Sequence, residues 1–149
     1  MNAPIIDVLI PVKEPAPWLH EALVSVLQQT LQTWRIVVVM DGYSEEVEKT
    51  ASRLLRGSRF IIEVVPQGQS GIVAALNHGL QCSDATYVAR LDADDRCHPR
   101  RLHAQLTYLD RTPECLVLGT GIRLIDESGK GLGSRIPNEA GDVIKRLRW

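Results

Sequence analysis

Three carboxylates, Asp92, Asp94 and Asp95, fall within four residues, directly after the apolar stretch Tyr87-Val88-Ala89. Like charges held that close repel one another. A hard divalent cation relieves the repulsion through oxygen ligands, which suits Mg2+ or Mn2+. Along an extended segment Asp92 and Asp94 point the same way, so the pair could face one metal or one diphosphate. The plainer alternative is a solvated turn in which Asp95 caps the next helix, because Asp is common in turns. Arg90, just ahead of the cluster, has two uses: an ion pair with Asp92 or Asp94, which is the simpler, or a substrate phosphate. Asp41 offers either an Asp-Gly turn with Gly42 or a carboxylate that accepts hydrogen bonds from a base or ribose. The loop Gln67 to Gly71 resembles a phosphate cradle, yet it matches neither G-x-G-x-x-G nor G-x-x-x-x-G-K-[ST]. Gly71 therefore reads as the start of a helix. Asn77 falls inside that helix, where Asn is a poor former, and a buried polar contact accounts for it better than a ligand. His98 offers a metal ligand or, more simply, a surface residue near a helix start, and the pair Arg100-Arg101 reads as a solvated helix face.

These residues need elements to position them. Ile5 to Val12 and Arg35 to Met40 are short β-branched runs, the mark of strands buried on both faces. Phe60 to Val65 and Thr86 to Leu91 are two more strands. Helices fall between them. Trp18 to Thr30 carries Leu19, Ala22, Leu23, Val26 and Leu27 on one face. Ser44 caps a helix running to about Arg56, with Glu45 and Glu46 at its positive end. Ile72 to Gln81 is a third helix, and Pro99 starts a fourth. Cys115 to Ile125 reads as extended, Glu127 to Gly131 as a turn, and Glu139 to Trp149 as helical. Four strand-helix alternations predict an α/β fold: a Rossmann-like, mostly parallel sheet with helices on both faces. Right-handed crossovers place all strand C-terminal ends on one edge, where open α/β sheets bind ligands. Pro11 to Glu14, Asp41 and Asp92 to Asp95 all lie on that edge. Position there favours a functional Asp92 and Asp94 over a plain turn, with Asp95 as the cap or a supporting group.

Composition narrows the classes. The chain has 149 residues, enough for one domain that buries roughly 70% of its unfolded surface. Seventeen Lys and Arg against eighteen Asp and Glu give a net charge of -1, which disfavours a nucleic-acid partner. No apolar run reaches the roughly 18 residues of a membrane span, and the first residues lack the basic start of a secretion signal. Cys82, Cys97 and Cys115 are odd in number and scattered, so they imply neither a disulfide framework nor a zinc site. A reducing, cytoplasmic location is expected.

The pattern resembles the family 2 glycosyltransferases, nucleotide-sugar enzymes of the GT-A fold. The matching stretches are DVLIPV, ALVSVLQQTLQTWRIVVVMDGYS, SGIVAALNHGL, TYVARLDADDRCHPRRLHAQL and VLGTGIRLIDESGKGLG, over about residues 5 to 133. The resemblance implies transfer of a sugar from a nucleoside diphosphate to a saccharide or lipid-linked acceptor hydroxyl, with inversion. It implies one GT-A-like nucleotide-sugar-binding domain over 1–149. Pro11 and Val12 match positions against the nucleotide, with Glu14, Gly71, Asn77 and Arg90 as further donor-site candidates. Asp41 matches the Asp that binds the base, usually uracil. Asp92-Ala93-Asp94 matches the D-x-D motif, in which Asp94 ligates Mn2+ or Mg2+ and Asp92 contacts the ribose or the metal shell. Lys13-Glu14-Pro15 stands where the family often has Tyr-Asn-Glu, Met40-Asp41 keeps only the second of a frequent Asp pair, and Leu76 replaces a frequent Arg.

The family's general base comes well after D-x-D and is expected beyond Trp149. The reading is of a donor-binding portion, truncated at its C-terminus, that binds donor without efficient turnover. An uncovered edge or apolar patch would favour a homodimer, and work on surface polysaccharides would place the protein at the cytoplasmic face of a membrane. Two alternatives stand beside this one. A non-catalytic nucleotide-binding module keeps the fold without the chemistry. A Mg-dependent phosphoacceptor domain ranks lower, because its acidic pair belongs after the first strand, where Pro-Val-Lys-Glu stands.

Overall fold

A computed structural model describes residues 5–135. Contacts divide the chain into two compact units after Thr107. The first unit contains β1 (Ile6–Val12), α1 (Leu19–Leu27), β2 (Trp34–Met40), α2 (Glu45–Leu54), β3 (Phe60–Val64), α3 (Ile72–Gln81) and β4 (Tyr87–Arg90). α4 (Arg101–Arg111) begins in it and crosses the division. The four strands form one parallel sheet in the order β3-β2-β1-β4.

The apolar runs of β1 and β2 are buried along their whole length because helices cover both faces. On one face Ile6, Val8, Ile10 and Val12 meet Leu19, Ala22, Leu23 and Val26 of α1, together with Val47 and Ala51 of α2 and Leu102 of α4. On the other face Leu9, Val37 and Val39 pack against Ala75 of α3. The chain moves outward from β1 to β3 using helices on the first face. It then returns past β1 to β4 using α3 on the second. Right-handed crossovers require that change of face when the direction reverses. The reversal makes the gap beyond β1 and β4 the switch point of the sheet.

Local chemistry sets the helix starts. The Ser44 hydroxyl accepts from the Val47 backbone N–H at 3.2 Å, capping α2, whose first turn holds Glu45, Glu46 and Glu48. α1 starts one residue later than expected, with Trp18 as its N-cap, and α3 starts from Gly71 at φ 88°. α3 sits unusually close to the sheet at Gly79. A Cβ built there would stand 2.2 Å from Leu9 Cδ1 and 3.1 Å from Val39 Cγ2. Both neighbours are buried core side chains. Gly79→Ala is therefore expected to cost about 1–3 kcal/mol through overpacking. Urea denaturation should show a lower midpoint with an unchanged slope, and an unchanged midpoint would mean that the core relaxes around the methyl.

A buried charge lies within the sheet of the first unit. Asp7 of β1 is fully buried. Arg35 of β2 donates to both its oxygens, Nε to Oδ1 at 2.9 Å and Nη2 to Oδ2 at 2.7 Å. The Ser83 hydroxyl adds a third bond at 2.6 Å. Arg35 also pairs with Asp84 at 2.7 Å, so this group ties the α3–β4 loop to the two central strands.

In the second unit, regular structure within the expected extended segment Cys115 to Ile125 is confined to β5 (Ile122–Ile125). It pairs antiparallel with β6 (Gly131–Arg135), a strand that composition does not suggest. Asp126 Oδ1 accepts from the Ser128 hydroxyl and from the Ser128 and Lys130 N–H groups, organising the turn between them. Those bonds, the Ser128 hydroxyl first, hold the Asp126 carboxyl below its ordinary pKa. The helix expected over Glu139 to Trp149 lies outside the described residues. Among the described residues no helix is long and apolar enough to cross a membrane.

Candidate functional site

The β1–β4 ladder stops at Leu9 and Arg90, whereas β1 stays paired with β2 through Val12. Proline explains the difference. Ile5 and Leu9 carbonyls accept from the β4 side, and the Val12 carbonyl accepts from the Asp41 N–H on the β2 side. The alternation turns the Pro11 nitrogen toward β4, and it carries no hydrogen to extend that ladder. The strands part, and a cleft of about 420 Å³ opens at the switch point, lined by Pro11, Lys13, Ile72, Arg90, Asp92 and Asp94 among others.

Asp92 sits in a fork. Arg90 Nε and Nη2 donate to its two oxygens at 2.8 and 3.0 Å. This is the ion pair expected for Arg90, and it fixes the orientation of Asp92. Arg101 donates to the Arg90 carbonyl at 2.9 Å and so anchors the end of β4. It is half-buried, not part of a solvated face. Asp94 is exposed. Partial burial, then the charges of Asp94 and Asp92, push the Asp95 carboxyl above its ordinary pKa. Asp95 is not a helix cap, because α4 begins only at Arg101; its N–H instead closes a turn on the Asp92 carbonyl at 3.1 Å.

Asp41 lies beside the cleft on the same sheet edge. Its side chain is 7% exposed, and Lys13 Nζ stands 3.3 Å from Oδ2. That oxygen is sealed from solvent, and no hydrogen bond of good geometry reaches it. Lys13 lines the cleft, so it connects Asp41 to the wall that carries Asp92 and Asp94.

Other candidates lie elsewhere. Glu14 accepts a short hydrogen bond from the Ser44 hydroxyl and lines a separate hollow of about 490 Å³ beside α2. The D-x-D cleft does not include it. Val12 is buried in the core, and Gly71 serves as the N-cap of α3, next to the cleft residue Ile72. Asn77 does not satisfy a buried contact: it is exposed on α3. His98 is exposed, as expected.

Two residues escaped the sequence reading because each lies on the buried face of α1 or just past its end. Gln29 accepts from the Leu102 N–H at 3.1 Å and donates to the His98 carbonyl at 2.8 Å. The Ser25 hydroxyl accepts from the Cys97 N–H at 2.9 Å. Together they clamp the loop that follows the acidic cluster. The signal in the sequence was a polar pair, Ser25 and Gln29, one turn apart on an otherwise apolar face.

A family model described as Glycosyl transferase family 2 matches residues 7–146. The chain belongs to glycosyl transferase family 2. Among family members, it is 35% identical over 138 residues to the amylovoran biosynthesis glycosyltransferase AmsE of Erwinia amylovora. That match covers 91% of this chain and 51% of AmsE, so the chain spans about half the length of this relative. Its fold is similar to the crystal structure of S. aureus TarS 1-349 in complex with UDP-GlcNAc, with TM-score 0.65 and 18% identity over 71% of this chain and 31% of that one. The mannosyltransferase PcManGT of Pyrobaculum calidifontis, in complex with GDP-Man and Mn2+, gives TM-score 0.65 and 18% identity over 85% and 37%. The expected GT-A fold, a parallel sheet with helices on both faces, is the one observed.

Proposed function

We propose that the first unit holds a nucleoside-diphosphate sugar, with a UDP-sugar as the favoured donor, for inverting transfer to a saccharide or lipid-linked hydroxyl. The observation that carries the reading is the shared cleft: Asp92, Asp94 and the Asp41 partner Lys13 line one opening at the switch point. The resemblance to donor-bound TarS and PcManGT supports the fold that this reading needs.

The donor set fits a hard cation. Asp94 and Asp92 present carboxylate oxygens to the same cleft. These residues would hold Mn2+ or Mg2+, which supplies Lewis-acid neutralisation of the departing diphosphate. The chain's own groups do the remaining work. Arg90 orients Asp92 through its two-oxygen fork. Asp41, whose Oδ2 faces Lys13 at 3.3 Å, would accept from a base N–H or a ribose hydroxyl once Lys13 moves aside. Lys13, largely exposed, can swing from Asp41 toward a phosphate. A homodimer and a location at the cytoplasmic face of a membrane, in polysaccharide assembly, belong to the same proposal.

A thermal-shift panel tests it. UDP, UDP-GlcNAc and GDP-Man are each added with Mn2+, with Mg2+ or with EDTA. Stabilisation by a uridine nucleotide that requires the cation is the expected result. No shift with any nucleotide would refute donor binding, and a shift only with GDP-Man would reassign the base.

A further inference from the structure

A second constellation lies away from the cleft, where α3 crosses β3. Glu63 of β3 pairs in register with Val39, on the sheet face that α3 covers. A carboxylate there occupies a position that its neighbours Ile61 and Val39 fill with apolar groups. His78 of α3 and Cys82, the helix's C-cap, stand one turn apart, so their side chains share a face. The close approach of α3 at Gly79 brings that face down to the sheet. The imidazole Nε2 of His78 is 3.5 Å from Glu63 Oε2 and 3.9 Å from Cys82 Sγ. All three donor atoms lie within 4.8 Å of one another.

We propose that Glu63, His78 and Cys82 form a zinc site that pins α3 to the edge of the sheet. A tetrahedral zinc with bonds of about 2.0–2.3 Å spaces its ligand atoms about 3.3–3.6 Å apart. The observed separations need to close by only a few tenths of an ångström on the two measured edges. One carboxylate, one imidazole and one thiolate are a set that selects zinc over the hard cations suited to D-x-D. Two anionic ligands balance the charge of the ion. Nearby Arg35 is already committed to Asp7 and Asp84, so its charge is compensated. His78 and Glu63 are 18% and 40% exposed, which leaves a path for the ion and a fourth position for water. Burial, then the Glu63 charge, raises the Cys82 pKa, while Arg35 opposes. Metal binding must therefore displace a thiol proton.

The site is tested with the chelator-treated chain in excess Mg2+, which occupies the hard-oxygen cluster. Zinc is titrated against a chromophoric chelator, and Co2+ binding is followed by absorption. One zinc per chain is expected, with a sulfur-to-cobalt charge-transfer band and tetrahedral d–d bands. Cys82→Ser should remove the charge-transfer band, and His78→Ala and Glu63→Gln should each weaken zinc by at least about 10-fold, the lower range for losing even an outer-shell partner. A doubly substituted D92N/D94N chain should retain both signals, which separates this site from the cleft. Absence of the band, or its survival in folded Cys82→Ser as judged by circular dichroism, would overturn the proposal and leave a plain Glu63–His78 ion pair.

Discussion

Asp94→Ala is expected to abolish the cation-dependent part of donor binding while leaving the protein folded. Asp94 is exposed at the mouth of the cleft and contributes nothing to either core cluster. Its loss also removes one of the like charges that, after burial, raise the Asp95 pKa. The folded-state cost should therefore be near zero. The loss in binding should be large, because the ion would keep only Asp92, already held by Arg90. At a donor concentration of 100 times Kd, bound ligand stabilises by about 2.7 kcal/mol, and that increment should vanish with Mn2+ present. Melting with and without Mn2+ and UDP-GlcNAc measures it. An unfolded variant would make Asp94 structural, and an undiminished shift would place the ion elsewhere.

Arg35→Ala is expected to be the most damaging single change to stability, at about 3–5 kcal/mol. It strips two hydrogen bonds from Asp7, a fully buried carboxylate, and leaves the Ser83 hydroxyl as the remaining partner seen there. A domain of this size has only about 5–15 kcal/mol in total. The pH sign is clear. Hydrogen bonding to Asp7, opposed by burial and aided by the Asp7 and Asp84 charges, raises the Arg35 pKa above its ordinary value. A group raised in the folded state contributes below its unfolded pKa and loses that contribution only as pH climbs through the folded one. The pair should thus be intact across the neutral range. Urea denaturation of Arg35→Ala beside the apolar double variant D7L/R35M separates the terms. The double variant should recover much of the loss, because no orphan charge remains. A cost under about 1 kcal/mol for Arg35→Ala would show that water already reaches Asp7.

Much of this molecule is legible from residue order. The runs IIDVLIPV and RIVVVM are apolar without alternation, which only a strand covered on both faces tolerates, and both are central strands. Ser44 followed by glutamates marks a helix start whatever surrounds it. The acidic cluster directly after an apolar strand placed Asp92 and Asp94 on the binding edge. Each of these signals is local, because periodicity and capping are settled by neighbours along the chain. What tertiary structure alone decided are the meetings of distant segments. The order β3-β2-β1-β4 puts the switch point between β1 and β4, and no property of either strand states it. Asn77 looked like a residue needing burial, but its place on α3 turns it outward. Glu14 looked like part of the nucleotide loop, yet the Ser44 hydroxyl draws it to α2. Cys82 matched no metal spacing in sequence, because its partners are a histidine one turn back and a carboxylate on another strand. A ligand set split between a helix and a strand exists only once packing sets the distance between them, and here a glycine at 79 sets it.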